Sequence, residues 1–173
     1  MSSPSQQPAP TRSGRNATNL AFYGCALLVA LVDAASKYAV SVLQPEPGTS
    51  VFGGLLLLQR HYNSGYMLGI GSSLDADYRS LVLSAITAVV LLGLLGWLLY
   101  RGFSRIDLAL AWGAVVGSAG ANLLERMRDG AVTDFLQLNL AWVQTGIFNL
   151  ADLFNLAGLC YIAANVLFRN RAL

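Results

Sequence analysis

The chain has 173 residues, 55% of them apolar and 12% charged, with a net charge of +2. Soluble domains carry about a quarter charged residues, so this chain has too little charge for a water-facing surface and is read as one compact unit in a bilayer. So small a net charge excludes nucleic acid as a partner, and the single histidine, His61, lacks the Cys or Glu neighbours of a metal site.

In chain order, residues 1–18 are rich in Ser, Pro, Gln, Arg and Asn and predict a disordered tail. The apolar run that follows is long and lacks a convincing small-x-small cleavage site, which argues against a cleaved leader. Four spans then approach the roughly 20 residues needed to cross hydrocarbon. Residues 20–43 form the first, with Asp33 and Lys37 late in it, and the uncharged residues 80–100 form the second. The third, 106–124, is rich in small residues (Gly113, Gly117, Ser118, Gly120), which suits close helix packing. The fourth, 148–168, carries Asp152 as its only charge. The predicted class is an all-α membrane protein with four transmembrane helices over residues 19–169. Cys25 and Cys160 fall inside apolar runs and read as small buried hydrophobes rather than a disulfide.

Between the first two spans, residues 44–75 hold prolines, glycines and an alternating stretch over 51–62. They predict a small extracytoplasmic β-element with Asn63-Ser64-Gly65 as a turn. Between the last two, Val132-Thr133-Asp134-Phe135-Leu136 is assigned to a loop, and Trp142 in the amphipathic stretch 138–143 suits a membrane interface. An even number of spans puts both termini on one side. Arg12, Arg15, Arg101, Arg105, Arg169 and Arg171 then share the inner face, against Lys37, Arg60, Arg79, Arg126 and Arg128 outside. That bias favours cytoplasmic termini, with both long connections and their polar clusters on the outer side.

Asp33 and Lys37 are four apart, so one helical face presents both and they can pair; the plain reading is an ion pair that eases their burial. Asn122 and Arg126 share a face in the same way, and a guanidinium is a natural clamp for carbonyl or carboxylate groups. The alternative for Arg126 is a helix-end side chain snorkelling to the interface. Asp134 and Asp152 lie at the edges of apolar stretches, where a carboxylate is expensive and usually kept for function. If their segments pack side by side, the two carboxylates share a proton, one as base toward water and the other as acid. Alternatively Asp152 only caps the fourth helix, where a negative charge is favourable. Spacing leaves both readings open. Ser36 next to Lys37 makes a poor nucleophile pair, because neighbours on a helix point in different directions, and no G-x-S-x-G or H-E-x-x-H occurs.

In this order, the clusters resemble the lipoprotein signal peptidase (signal peptidase II) family. Asp33-Ala34-Ala35-Ser36-Lys37 matches its D-x-x-S-K, and Asn63-Ser64-Gly65 its N-x-G. Ala121-Asn122-Leu123-Leu124-Glu125-Arg126 partly matches G-N-x-x-D-R, Val132-Thr133-Asp134-Phe135 matches V-x-D-F, and Phe148-Asn149-Leu150-Ala151-Asp152 matches F-N-x-A-D. The resemblance implies that Asp134 and Asp152 are the catalytic dyad. It also implies that Asn63, Gly65, Asn122, Arg126 and Asn149 bind substrate, with Asp33 and Lys37 in support. The implied activity is an aspartic endopeptidase that cuts prolipoproteins just before a diacylglyceryl-modified cysteine, in the bacterial cytoplasmic membrane. Its β-cradle holds the signal-peptide backbone. The expected partners are the lipid-modified signal peptide, membrane lipids and the family's cyclic-peptide inhibitors; the chain is expected to be a monomer with no cofactor and no metal.

Residues 66–68 (Tyr66, Met67, Leu68) replace the usual small pair and Phe, Glu125 replaces Asp, Ala121 replaces Gly, and Leu153 stands where Ser is common. The bulk of Tyr66 and Met67 predicts altered substrate preference or inhibitor response. The changes at Ala121 and Glu125 also fit a second class, a non-catalytic relative that binds lipidated signal peptides or an inhibitor. A proton-relaying transporter is disfavoured, because the second and third spans lack acids at mid-helix.

Overall fold

A computed structural model describes residues 12–43, 49–64, 75–103, 105–140 and 142–169. Four helices dominate it: α1 (Arg12–Leu43), α2 (Ala76–Arg101), α3 (Ile106–Asp129) and α4 (Leu150–Arg169). All four are long and apolar enough to cross a membrane, and their lipid-facing sides are covered with exposed Leu, Val and Ile. The first starts earlier than the sequence predicts. Residues 12–18, expected in a disordered tail, form its opening turns, and Thr18 is buried with its hydroxyl 3.4 Å from the Phe103 carbonyl. A polar run carries no apolar periodicity, so it conceals a helix start. Residues 1–11 lie outside the described part.

Helix α3 is the central element, and glycine is what lets its neighbours approach. A Cβ on Gly117 would lie 2.4 Å from the Ala26 carbonyl oxygen of α1, and one on Gly113 would lie 2.5 Å from that of Phe22. On another face of α3, Gly158 of α4 brings its backbone against Ala111, where a Cβ would be 2.8 Å from the carbonyl oxygen. Close backbone approach of this kind replaces the hydrophobic effect as the packing force within lipid. Two small cores lie near the ends of α1. Phe22 stacks on Phe103, with ring centroids 5.0 Å apart, beside Leu98 and Ala109. Val40 packs with Phe135 and Leu136 at the other end. Eighteen residues of helix separate Phe22 from Val40, about 27 Å at 1.5 Å per residue, close to the hydrocarbon thickness.

The β-element is larger than the sequence suggests. Strands β1 (Thr49–Val51) and β2 (Leu56–Asn63) come from the α1–α2 connection; β3 (Val132–Leu140) and β4 (Val143–Gln144) come from the α3–α4 connection. They form one antiparallel sheet in the order β1-β2-β3-β4. The segment bearing Asp134, expected as a loop, is thus an inner strand. Residues 132–136 are all buried, so the hydrophobic alternation that marks a half-exposed strand is missing. Gly130 ends α3 in the left-handed conformation (φ 75°), its N–H donating to the Arg126 carbonyl, and β3 begins two residues later. Trp142 is almost fully exposed between β3 and β4. Both cysteines are free, and Cys160 lies on the outer surface of the bundle rather than buried.

Candidate active site

The polar clusters of the sequence converge where α1, α3, α4 and the sheet meet. Asn149 is the N-cap of α4. Its side-chain oxygen accepts from the Asp152 N–H at 3.0 Å, and its own N–H donates to Asp152 Oδ2 at 3.1 Å. This is a capping box with Asn and Asp in the usual roles of Ser and Glu. The same Asn149 amide donates from Nδ2 to Asp134 Oδ1 at 2.7 Å. One fully buried residue therefore touches both carboxylates, Asp134 through its side chain and Asp152 through its backbone N–H. The two readings of Asp152, helix cap and partner of Asp134, are compatible: it is a cap by Oδ2, while Oδ1 accepts from Asn122 Nδ2 at 3.1 Å.

Asp134 hangs from β3 with 2% of its surface exposed. The register of β2 brings the end of that strand alongside, and Asn63 Nδ2 donates to Asp134 Oδ2 at 2.9 Å. Burial pushes the Asp134 carboxyl above its ordinary value of 3.8; the two amide donors oppose this, and the nearby Asp152 charge adds to it.

A second layer holds these groups. Lys37 Nζ lies 2.6 Å from Asp33 Oδ2, 2.7 Å from Glu125 Oε2 and 2.8 Å from Asn122 Oδ1. The ammonium thus donates to Asn122 and is ion-paired with two carboxylates. The other oxygen of Asp33 accepts the Ala151 N–H at 2.9 Å, satisfying an amide in the first turn of α4 that the helix cannot pair itself. Arg126 faces the same cluster, close enough to interact with the charges of Asp134, Asp152 and Glu125, and its buried Nε has no acceptor among the described residues.

Asp33, Lys37, Asn63, Asn122, Asn149, Asp134 and Asp152 thus join one hydrogen-bonded network, with Arg126 beside it. Gly65, Tyr66, Met67 and Leu68 lie outside the described residues. Two contacts beside the aspartates are not foreseen by the sequence, which marks Glu125 only as a departure from the family pattern. Glu125 links Lys37 to the Thr133 N–H. Arg79, read only as an outer-face cation, is buried at the start of α2 and donates to the Ser64 carbonyl and hydroxyl, each at 3.4 Å. A single arginine at the head of an apolar span was its one sequence signal. A cleft of about 690 Å³ between α1 and α3 is lined by Asp33, Lys37, Tyr38, Tyr62, Glu125 and Thr133, with neither Asp134 nor Asp152 in its wall. Among the described residues no group of His, Cys, Asp and Glu could hold a metal ion.

Four membrane-crossing helices, capped by a small sheet that delivers a carboxylate against a helix start, define a multi-pass membrane protein. Comparison with known proteins is consistent with that description. The model of the signal peptidase II family matches residues 25–168. The lipoprotein signal peptidase of Moorella thermoacetica is 32% identical over 140 residues, which cover 79% of this chain and 87% of the relative. That of Brevibacillus brevis is 32% identical over 134 residues, 76% and 85% of the two chains. A bacterial membrane enzyme solved by the in meso method at 2.3 Å superposes with a TM-score of 0.69 and 25% identity, covering 83% of this chain and 85% of its own. The chain belongs to the signal peptidase II family, and is a membrane peptidase.

Proposed function

We propose that this protein removes signal peptides from prolipoproteins, hydrolysing the bond before a diacylglyceryl-modified cysteine with Asp134 and Asp152 as its acid–base pair. The observation that carries the reading is Asn149, whose side chain donates to the Asp134 carboxylate and whose backbone N–H donates to the Asp152 carboxylate at one end of the helical bundle. The names of the relatives support the substrate class.

Asp33, Glu125, Asp134 and Asp152 bring four negative charges to the network, against the positive charges of Lys37 and Arg126. Fully ionised, the cluster would carry two excess negative charges in a poorly hydrated place, so a retained proton is favoured. Asp134 is the more buried of the pair and holds that proton. Asp152 then takes a proton from water as the water oxygen bonds to the scissile carbonyl carbon, and Asp134 gives its own proton to the carbonyl oxygen. In the second step Asp152 passes its proton to the amide nitrogen, the C–N bond breaks, and the gem-diol returns a proton to Asp134. One water is consumed and the pair ends as it began. The unmet Nε–H of Arg126 receives a substrate carbonyl, and Asn63 borders the backbone of the bound peptide. The reaction needs no cofactor. The enzyme acts as a monomer in the cytoplasmic membrane, with its termini inside and the site at the outer surface.

The test compares wild type with Asp134→Asn and Asp152→Asn on a diacylglyceryl-modified precursor in liposomes. Asparagine keeps the shape of aspartate but carries no titratable proton. Cleavage by wild type and loss of at least about a thousand-fold in both variants, within the range of acid–base contributions, is the expected result. Equal inactivity of all three, with the precursor still bound, would replace the enzyme by a signal-peptide-binding protein.

A further inference from the structure

The network can hold the two aspartates in place only if its own members are fixed, and one side chain fixes it from two directions. Glu125 sits on α3, and its Oε1 accepts the backbone N–H of Thr133 at 3.0 Å. Thr133 immediately precedes Asp134 and pairs with Tyr62 across the sheet. The hydrogen bond therefore clamps β3 to α3 one residue away from a carboxylate. The second oxygen, Oε2, lies 2.7 Å from Lys37 Nζ. Lys37 donates to Asn122 Oδ1, and an ammonium is a donor only. The amide of Asn122 must accordingly turn its oxygen to Lys37 and its Nδ2 to Asp152. Both oxygens of one side chain thus end on the aspartates, each through one or two intermediates.

We infer that Glu125 is a positioning residue that sets Asp134 through Thr133 and Asp152 through Lys37 and Asn122. The inference rests on the acid–base reading of the two aspartates. It also gives a role to a departure from the family pattern, which has Asp at this place. The carboxylate reaches the strand and the ammonium at the same time; an aspartate carries the same charge on a side chain one methylene shorter.

Three variants separate the two arms. Glu125→Gln keeps an oxygen for Thr133 but removes the charge at Lys37, Glu125→Asp keeps the charge but shortens the reach, and Glu125→Leu removes both. With the full-length protein in liposomes and a diacylglyceryl-modified precursor, kcat is expected to fall about ten-fold in the first two and about a hundred-fold in the third, the scale of a small misplacement of reacting groups. KM is expected to stay within about two-fold of wild type, because Glu125 is not assigned a substrate contact. Amide hydrogen exchange supplies a readout apart from activity. The Thr133 amide is expected to exchange several-fold faster in Glu125→Leu, as for loss of one hydrogen bond of about 1 kcal/mol, and near the wild-type rate in Glu125→Gln. Unchanged kcat across the series, a KM that rises as much as activity falls, or unaltered Thr133 exchange in Glu125→Leu overturns the inference. Should Glu125→Leu fail to fold, the Gln and Asp variants carry the same comparison. Asp134→Asn and Asp152→Asn run alongside as controls. If they stay active, the acid–base reading fails and takes the kinetic claim with it; if they are dead while the Glu125 series is normal, only the positioning claim fails.

Discussion

Arg126 and Asp134 are the residues whose local chemistry makes the most specific demands. A guanidinium with a buried, unmet Nε beside acidic groups is poised for an acceptor that arrives with substrate. Arg126→Ala is expected to raise KM by about ten- to a hundred-fold, the equivalent of one charge-assisted hydrogen bond, with the fold intact by circular dichroism; an unchanged KM would assign Arg126 to structure alone. The raised Asp134 carboxyl makes a pH-dependent prediction. An acid whose folded pKa lies above its unfolded one prefers to be protonated in the native state. Its charge costs stability at pH above the folded value, and that cost vanishes below the ordinary 3.8. Unfolding measurements across this window should show wild-type stability declining as pH rises, with that part of the slope absent in Asp134→Asn. Equal slopes in the two proteins would remove Asp134 as the titrating group. Under the proposed mechanism the alkaline limit of kcat/KM is expected to lie higher than an unperturbed aspartate would place it, as a property of the coupled pair.

At the level of elements, the sequence and the structure agree where apolar runs are long and differ where burial is complete. The four spans are legible because lipid demands about 20 apolar residues and tolerates little else. The small residues of α3 announce its close packing, and Gly113 and Gly117 are where it happens. Gly117→Ala is expected to force α1 and α3 apart and lower stability by about 1–3 kcal/mol, the usual cost of overpacking, measurable by thermal unfolding in detergent. Gly93, with no atom near its missing Cβ, is the matched control, and a Gly117→Ala protein as stable as Gly93→Ala would contradict the contact. Strand β2 is legible in the stretch 51–62, half exposed, whereas β3 is hidden because five successive residues are buried. Asp33 and Lys37 are legible as an i, i+4 pair. Glu125 is not, because its partners come from α1 and β3, and sequence spacing says nothing about contacts between distant segments.

For the molecule as a whole, four spans and a sheet formed by both long connections put every member of the acid network at one end. At the opposite end, Arg105 donates to Asn165 and pairs with Asp107, and Tyr161 donates to Asp107, joining the start of α3 to the last turns of α4. Under the proposed topology the first end faces outward. In a background lacking Cys25 and Cys160, a cysteine at Arg60 is expected to react with an impermeant maleimide from outside intact cells, and one at Arg15 only after lysis. Both side chains are exposed. The reverse labelling pattern would invert the orientation and put the chemistry on the cytoplasmic surface.

Asn149 has a consequence that belongs to heat rather than to chemistry. Because that amide begins α4 and also holds Asp134, the opening turn cannot unwind while the acid pair survives. Fraying at a helix start is ordinarily harmless and frequent. Under the proposed mechanism the least protected turn of a span and the acid pair fail together, so activity is expected to be lost on warming before the bundle itself comes apart.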